Sequence, residues 1–186
     1  SLYQLRSLEA KTGLKVHTFE SLIAAIHTHA DNLVRRGAIA FKNAIIYQRN
    51  PTWSMPSTRD AERAFLCLCE RRHAEWCIEG NTFPTEFKAL QDFIIGEICI
   101  AAERLNVPLQ IHTGLPAGNR LPVSWGHPAY LMGLVEQFPR IEIHLLHAAH
   151  PYEREASAMA KLHPNVFLDC SWLHQLNANA AQASIN

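Results

Sequence analysis

The sequence has no long apolar run and carries no excess of either charge. Its 186 residues include 17 Lys and Arg against 17 Asp and Glu, so the formal net charge is zero. This balance gives no reason to expect nucleic acid or an anionic membrane as a partner. No stretch reaches the roughly 18 consecutive apolar residues of a membrane span, and the first residues lack a secretion signal. We therefore expect a cytoplasmic protein that acts on a small molecule.

The five cysteines argue against a disulfide scaffold. Their number is odd, and their spacing follows no known framework. A reduced protein, in which each cysteine is an ordinary free thiol, is the simpler interpretation.

The order of apolar segments predicts an α/β fold. Apolar residues make up 48% of the chain, which is enough for a substantial core, and the length predicts one domain over residues 1–186. Short continuous apolar runs, typical of strands buried on both faces, alternate with amphipathic helices, which indicates βα units and a parallel sheet. The predicted strands are 38–42, 107–112, 141–147 and 165–169; the predicted helices are 18–36, 58–79, 85–105, 127–138 and 151–163.

Four strands are about half of what a closed barrel needs. A (β/α)₈ barrel usually takes about 250 residues and eight strands. The chain is therefore either an open sheet or part of a TIM-type barrel.

A chemically capable side chain stands at the end of each predicted strand. These residues are Lys42, His112, His147 and Asp169. In parallel α/β folds the carboxyl ends of the strands hold the functional groups. His112 and His147 are the candidate metal ligands, because neutral imidazole suits Zn²⁺ and related ions. Lys42 is either carboxylated and a further ligand, or a cation for a substrate carboxylate, or an ordinary surface lysine.

Three more residues are candidates beyond the strand ends. Tyr47 and Arg49 lie on the loop after Lys42, where Arg49 can clamp a substrate carboxylate or simply be exposed. His150 is either a group for acid–base catalysis or a helix-entry residue. His144 lies within the third strand, one parity away from His147, and is expected to face away from the site.

An H-x-H pair, His27 and His29, has the spacing of many metal sites but lies in the predicted helix 18–36. Two residues on an α-helix are separated by about 200° of rotation. The two imidazoles are therefore expected to point apart and not to hold one ion.

Four segments resemble the metal-dependent amidohydrolases of the amidohydrolase-2 type, in their nodulin-like, FluG-type branch. They are AFKNAIIYQR, VPLQIHTG, IHLLHAAHPYEREA and NVFLDCSW, within residues 37–173. The resemblance implies a (β/α)₈ barrel in which strands four to seven are visible. His112 and His147 then correspond to the fifth- and sixth-strand ligands, Lys42 to a fourth-strand lysine that some members carboxylate, and Asp169 to a catalytic, substrate-side residue on the seventh strand.

The resemblance also implies a partial chain. Neither the family's first-strand H-x-H nor its eighth-strand Asp is found, and the exposed edges of such a sheet make a homo-oligomer possible. The implied function is a metal-dependent hydrolase, with zinc as the expected metal, that cleaves a C–N amide-type bond of a small carboxylate-bearing substrate. The alternatives are a non-oxidative decarboxylase, a lactonase or a sugar-acid isomerase on the same scaffold, or a catalytically incomplete domain.

Overall fold

The computed structural model describes residues 2–70, 85–116 and 121–185. The chain divides into two compact units. Ser1–Ile39 with Ser54–Leu105 form one, called here the helical unit, and Ala40–Trp53 with Asn106–Asn186 form the other, called the sheet unit. The prediction of a single domain over the whole chain stays a prediction.

The described residues of the helical unit form four α-helices with their own core. The helices are α1 (Leu2–Thr12), α2 (Phe19–Arg35), α3 (Thr58–Glu70) and α4 (Lys88–Leu105), with a 3₁₀ turn at Thr85–Phe87. Helix α2 begins at a capping box, in which Thr18 accepts from the N–H of Ser21 and the Ser21 hydroxyl accepts from the N–H of Thr18. The largest buried side chains of its core are Phe19, Leu22, Ile26, Phe65, Leu68, Phe87 and Leu90.

The sheet unit is built on four parallel strands in the order β1-β2-β3-β4. The strands are β1 (Phe41–Asn43), β2 (Leu109–His112), β3 (Ile143–Leu146) and β4 (Val166–Asp169). The helices are α5 (Met132–Gln137), α6 (Glu153–Leu162), α7 (Leu173–Leu176) and α8 (Ala178–Ile185). The 3₁₀ turns are Ile45–Tyr47, Val123–Gly126, Pro128–Leu131 and His147–Ala149.

The two faces of this sheet differ in character, because successive residues of a strand point to opposite sides. One face is mainly apolar and buried: Phe41, Leu109, Ile111, Ile143, Leu145 and Val166 lie on it, together with the half-buried Asn43 and Leu168. The opposite face, called here the polar face, carries Lys42, Gln110, His112, His144, Leu146, Phe167 and Asp169. Functional groups are therefore concentrated on one side of the sheet.

The structure confirms the predicted parallel α/β arrangement and corrects several boundaries. Strand β1 continues to Asn43, so Lys42 lies within it, and β3 stops at Leu146, so His147 lies after the strand. The predicted helix 127–138 begins as a 3₁₀ turn, and residues 71–79 of the predicted helix 58–79 lie outside the described residues. None of the helices in the described ranges is long and apolar enough to cross a membrane. The cysteines within the described residues, Cys67, Cys69, Cys99 and Cys170, are free thiols.

Candidate active site

His112 and His147 lie side by side at the carboxyl ends of two neighbouring strands. Their ring centroids are 4.7 Å apart and the rings meet edge to face, at 68°. His112 is the last residue of β2, His147 directly follows β3, and both side chains are buried. The predicted convergence of these two imidazoles is therefore present.

The hydrogen bonds of His112 define which ring nitrogen is free. Its Nε2 lies 3.2 Å from the carbonyl oxygen of Leu115 and 3.2 Å from the hydroxyl of Tyr47. Since a carbonyl can only accept, Nε2 carries the proton, and Nδ1 keeps its lone pair. Burial lowers the pKa of His112, and the charges of His147 and Lys42 lower it further, against the opposing bond to Leu115. The imidazole is therefore neutral near pH 7, which is the form that binds a metal.

His147 is oriented from the turn after β4. Its Nδ1 donates to the carbonyl oxygen of Ser171 at 2.8 Å, and the Ser171 hydroxyl lies 3.2 Å from the same nitrogen. In the tautomer that makes this bond, Nε2 is the ring nitrogen with the free lone pair. Ser171 is itself held by its N–H, which donates to Oδ1 of Asp169 at 2.7 Å. A carbonyl behind a ligating histidine fixes its tautomer and orientation.

An unusual backbone carries His147 out of its strand. His147, Ala148 and Ala149 have φ of 63°, 46° and 57°, so three successive residues with side chains are left-handed. Residues other than glycine rarely adopt this region, and each costs about 1–2 kcal/mol. Such outliers persist where the surroundings hold them, often at functional sites.

Two glycines hold the segment after β2 against this turn. The N–H of Gly114 donates to the carbonyl of Gly126 at 2.9 Å, and the N–H of Leu115 donates to the carbonyl of His150 at 2.8 Å. A Cβ on Gly114 would lie 2.4 Å from the His150 oxygen, and one on Gly126 would lie 2.0 Å from the Gly114 oxygen. Only glycine allows this approach, so the segments that follow His112 and His147 are fixed together through their backbones.

Asp169 and Lys42 share the polar face with His112, whereas the expected orientation of His144 was wrong. His144 pairs with Gln110 and Phe167, which places it on the polar face; the parity argument failed because β3 ends before His147.

Partial burial acts to raise the pKa of Asp169, but hydrogen bonds from Ser171 and the nearby His147 and His144 outweigh it, so the pKa is lowered. Asp169 is therefore a carboxylate at neutral pH. Lys42 is exposed.

The remaining predicted residues lie in three settings. Tyr47 packs its ring edge-on against His112, with centroids 4.8 Å apart. Arg49 is buried, and its Nη1 donates to the backbone carbonyls of Asn50 at 2.8 Å and Thr52 at 3.1 Å. Nδ1 of His150 is hydrogen-bonded to the carboxylate of Glu153, which begins α6. Their catalytic and substrate-binding roles stay predictions.

Sequence reasoning missed the residues that support the two histidines. The buried Thr113 donates from its hydroxyl to the carbonyl of Leu146 at 2.7 Å, which ties the ends of β2 and β3 together. Ser171 and Gly114 act through their backbones, as described above. Gly114 was the only one with a sequence signal, since a glycine two residues after a candidate ligand often marks close backbone approach.

The helical H-x-H pair is used differently. His27 and His29 both lie on α2, as predicted, and Nε2 of His27 is hydrogen-bonded to Oε2 of Glu97 on α4 at 2.7 Å.

Across the described ranges 2–70, 85–116 and 121–185, no three His, Cys, Asp or Glu side chains are arranged to hold a metal. Of the predicted ligands, His112 and His147 could hold a divalent ion together, through Nδ1 and Nε2 respectively.

This combination of a parallel sheet and functional groups at its carboxyl edge defines a parallel α/β protein, a class that includes open doubly wound sheets and TIM barrels. Residues 86–185 match the model of the amidohydrolase family, and the chain belongs to that family. Over 161 residues, 84% of this chain, it is 30% identical to the FluG protein of Emericella nidulans, of which it covers 18%.

Solved structures of other proteins share the fold. A protein of Lactobacillus casei described as a metal-dependent hydrolase has a TM-score of 0.75 at 20% identity over 98% of this chain and 46% of its own. The uronate isomerase of Thermotoga maritima has a TM-score of 0.66 at 13% identity, with 89% and 38% covered. The glucuronate isomerase of Caulobacter crescentus has a TM-score of 0.67 at 17% identity, with 90% and 36% covered. The four-stranded sheet is part of a TIM-type barrel, and the chain spans less than half the length of these relatives.

Proposed function

We propose that this chain supplies part of the active site of a metal-dependent hydrolase that cleaves a C–N amide-type bond. The observation that carries the proposal is the pair formed by His112 and His147. The two imidazoles lie 4.7 Å apart between centroids, and a backbone carbonyl fixes the tautomer of each. Neutral, oriented imidazoles are the ligands that Zn²⁺ prefers, so zinc is the metal we propose.

A divalent ion at such a site supplies Lewis acidity and lowers the pKa of water to about 7. The side chains nearby have roles that do not depend on the identity of the metal. The Asp169 carboxylate, ionised at neutral pH, is suited to accept a proton. His150, held by Glu153, is a second acid–base group.

The substrate we propose is a small molecule that bears a carboxylate. Lys42 is exposed on the polar face and offers it a positive charge, with Tyr47 beside His112. Arg49 is a weaker candidate, because its Nη1 already donates to two backbone carbonyls. Carboxylation of Lys42 into a further metal ligand is the alternative role for that residue.

A second candidate function is sugar-acid isomerisation. It is favoured by the uronate and glucuronate isomerases among the proteins that share the fold. The same frame also accommodates a decarboxylase, a lactonase or a catalytically incomplete domain, because fold and reaction are separable. A balanced charge supports a small-molecule substrate in all of these cases, and a cytoplasmic location is part of the proposal.

The test uses the intact protein that contains this chain. Metal content is measured by mass spectrometry, and a panel of amides of small carboxylic acids is screened for ammonia release. We expect bound zinc and ammonia release in the wild type, and loss of both in His112→Ala. The matched control is His27→Ala, which removes an imidazole from α2 and should keep both. An absence of bound divalent metal, or full activity in His112→Ala, would contradict the proposal.

The same assay separates the candidate reactions. Conversion of a uronate to its ketose without ammonia release would favour the isomerase, and release of CO₂ would favour the decarboxylase. A protein that binds metal but converts none of these substrates would favour the incomplete domain.

A further inference from the structure

The hydroxyl of Tyr47 makes a contact that the proposed function does not use. Its oxygen lies 3.2 Å from Nε2 of His112, whereas the lone pair available to a metal is on Nδ1. The two rings also meet edge to face, with centroids 4.8 Å apart and an interplanar angle of 62°. Both residues belong to the sheet unit. The phenol therefore lies behind a candidate ligand and not in front of its free lone pair.

A third group settles the direction of the hydrogen bond between Tyr47 and His112. The carbonyl oxygen of Leu115 also lies 3.2 Å from Nε2, and because a carbonyl can only accept, Nε2 carries the proton. The single N–H is then shared between two acceptors, the Leu115 carbonyl and the Tyr47 hydroxyl. Both acceptors favour the tautomer in which Nδ1 of His112 keeps its lone pair.

The turn that carries Tyr47 is held in place by its own hydrogen bonds. Tyr47 ends the 3₁₀ turn after β1, and its N–H donates to the carbonyl of Ala44 at 3.1 Å. At the start of this turn, the N–H of Ile45 donates to Oδ1 of Asn43 at 2.8 Å. Ile46, in the middle of the turn, is fully buried. A side chain on a turn fixed in this way loses little further freedom when it makes a hydrogen bond.

The loop beyond Tyr47 is also anchored within the sheet unit. Nη1 of Arg49 donates to the carbonyl of Thr52 at 3.1 Å. Trp53 is buried, and its ring packs against that of Phe138, with centroids 5.7 Å apart. The segment is therefore held on both sides of Tyr47, and its hydroxyl is preorganised for His112.

The hydrogen bond should be stronger when Nδ1 of His112 holds a cation. His112 is only 6% exposed, so water contributes little to the solvation of a charged ring. Coordination withdraws electron density from the imidazole and makes its N–H a better donor, and hydrogen bonds to charged groups are about twice as strong as neutral ones. Groups behind a ligating histidine also fix its orientation. The Tyr47 hydroxyl should therefore stabilise the metal-bound state more than the metal-free state.

We propose that Tyr47 is a positioning residue that increases the metal affinity of His112, because its hydroxyl accepts a hydrogen bond from Nε2. This inference rests on the proposed function, since it concerns the same metal site, and it gives Tyr47 a role other than substrate binding. It predicts that the hydroxyl contributes to the affinity for metal and not to the stability of the metal-free protein.

The test measures the affinity of the intact protein for Zn²⁺ by competition with a chromophoric chelator. Tyr47→Phe keeps the ring beside His112 and removes only the hydroxyl. We expect it to weaken zinc binding about 10- to 100-fold, the range for loss of a group behind a ligand. The matched control is Tyr130→Phe, which removes a hydroxyl from a ring that contacts His127 and should keep the wild-type affinity.

A second readout separates this role from a contribution to folding. Thermal unfolding is followed for the metal-free protein and in the presence of zinc. Tyr47→Phe should melt at the wild-type temperature without metal, and its melting temperature should rise less on addition of zinc, because a ligand stabilises the folded state according to its affinity. Equal zinc affinity in Tyr47→Phe and the wild type, or an equal decrease in melting temperature with and without zinc, would overturn the inference.

The outcomes for the two proposals are distinguishable. An absence of zinc binding in the wild type would overturn both of them. Zinc binding that weakens as expected in Tyr47→Phe, without ammonia release from any amide, would support the role of Tyr47 and contradict the hydrolase alone.

Discussion

The helical unit and the sheet unit each contain a pair of histidines that the sequence suggests as metal ligands, but the two pairs are arranged in different ways. In the helical unit, His27 and His29 are two residues apart on α2, and His27 is bonded to Glu97. In the sheet unit, His112 and His147 are far apart in sequence and their rings meet at 4.7 Å. On an α-helix, a spacing of two residues directs the side chains to nearly opposite sides. The ends of neighbouring strands, in contrast, bring together residues that are distant in sequence.

The two units also differ in how the backbone is used. The helical unit relies on side-chain packing and a helix cap. The sheet unit places its histidines through backbone contacts that leave no space for a methyl group. Substitutions of the same type in the two units should therefore have unequal costs.

The largest difference is expected for two glycines with positive φ. Gly114 has φ of 74° and its Cβ would lie 2.4 Å from the His150 oxygen, whereas Gly37 has φ of 94° and open space around it. Gly114→Ala should lower the free energy of unfolding by about 4 kcal/mol, from overpacking and left-handed strain together. Gly37→Ala should cost about 1 kcal/mol, from the strain alone. Urea denaturation of both variants measures this, and equal costs would show that the Gly114 contact yields easily.

A smaller difference is expected for two threonines. Thr113→Val removes a buried hydroxyl and leaves the carbonyl of Leu146 without that donor, which should cost about 2 kcal/mol. Thr18→Ala removes the exposed N-cap of α2 and should cost about 1 kcal/mol. Thr113→Val should also weaken zinc binding, because the ends of β2 and β3 are no longer tied. Zinc affinity at the wild-type level would mean that this bond does not position the histidines.

The smallest expected effect concerns the acid sensitivity of the helical unit. Partial burial lowers the pKa of His29 from 6.5, with contributions from Lys11 and Arg36. The unfolded chain then binds the proton more readily, so stability present above about pH 6.5 decreases as the pH falls below it. His29→Gln should lose melting temperature less steeply than the wild type between pH 7 and pH 5.5, with a chelator present. An equal or steeper loss would assign the acid sensitivity to other groups.

The parallel sheet and the histidine pair were predictable because they depend on periodicity and on the strand-end rule. Apolar runs marked all four strands, and each candidate ligand was found within one residue of a strand end. Helices α1, α7 and α8 were not predicted, since segments such as ANAAQASI lack a clear amphipathic pattern. The face of His144 was misjudged because the exact end of β3 decides it, and boundaries depend on tertiary contacts.

The supporting groups of the site were not predictable for a different reason. The backbone carbonyls of Leu115 and Ser171 fix the orientation of the two imidazoles. Because every residue has a backbone carbonyl, the residue types at these positions do not indicate this role. The left-handed turn at His147–Ala149 could not be predicted from the sequence either, because alanine and histidine favour other conformations. These features arise from the approach of two chain segments, which only the fold specifies.

That turn has a consequence for how evolution can alter the site. Glycine would relieve the backbone strain at Ala148 and Ala149, yet it would also give the chain many more conformations to search and to lose. With alanine at both positions, the backbone of the turn has few accessible conformations, and the imidazole of His147 keeps a single orientation. Substitution of glycine at these two positions would thus reduce the backbone strain and increase the mobility of the turn. The orientation of the His147 imidazole would become less defined before the fold lost its stability.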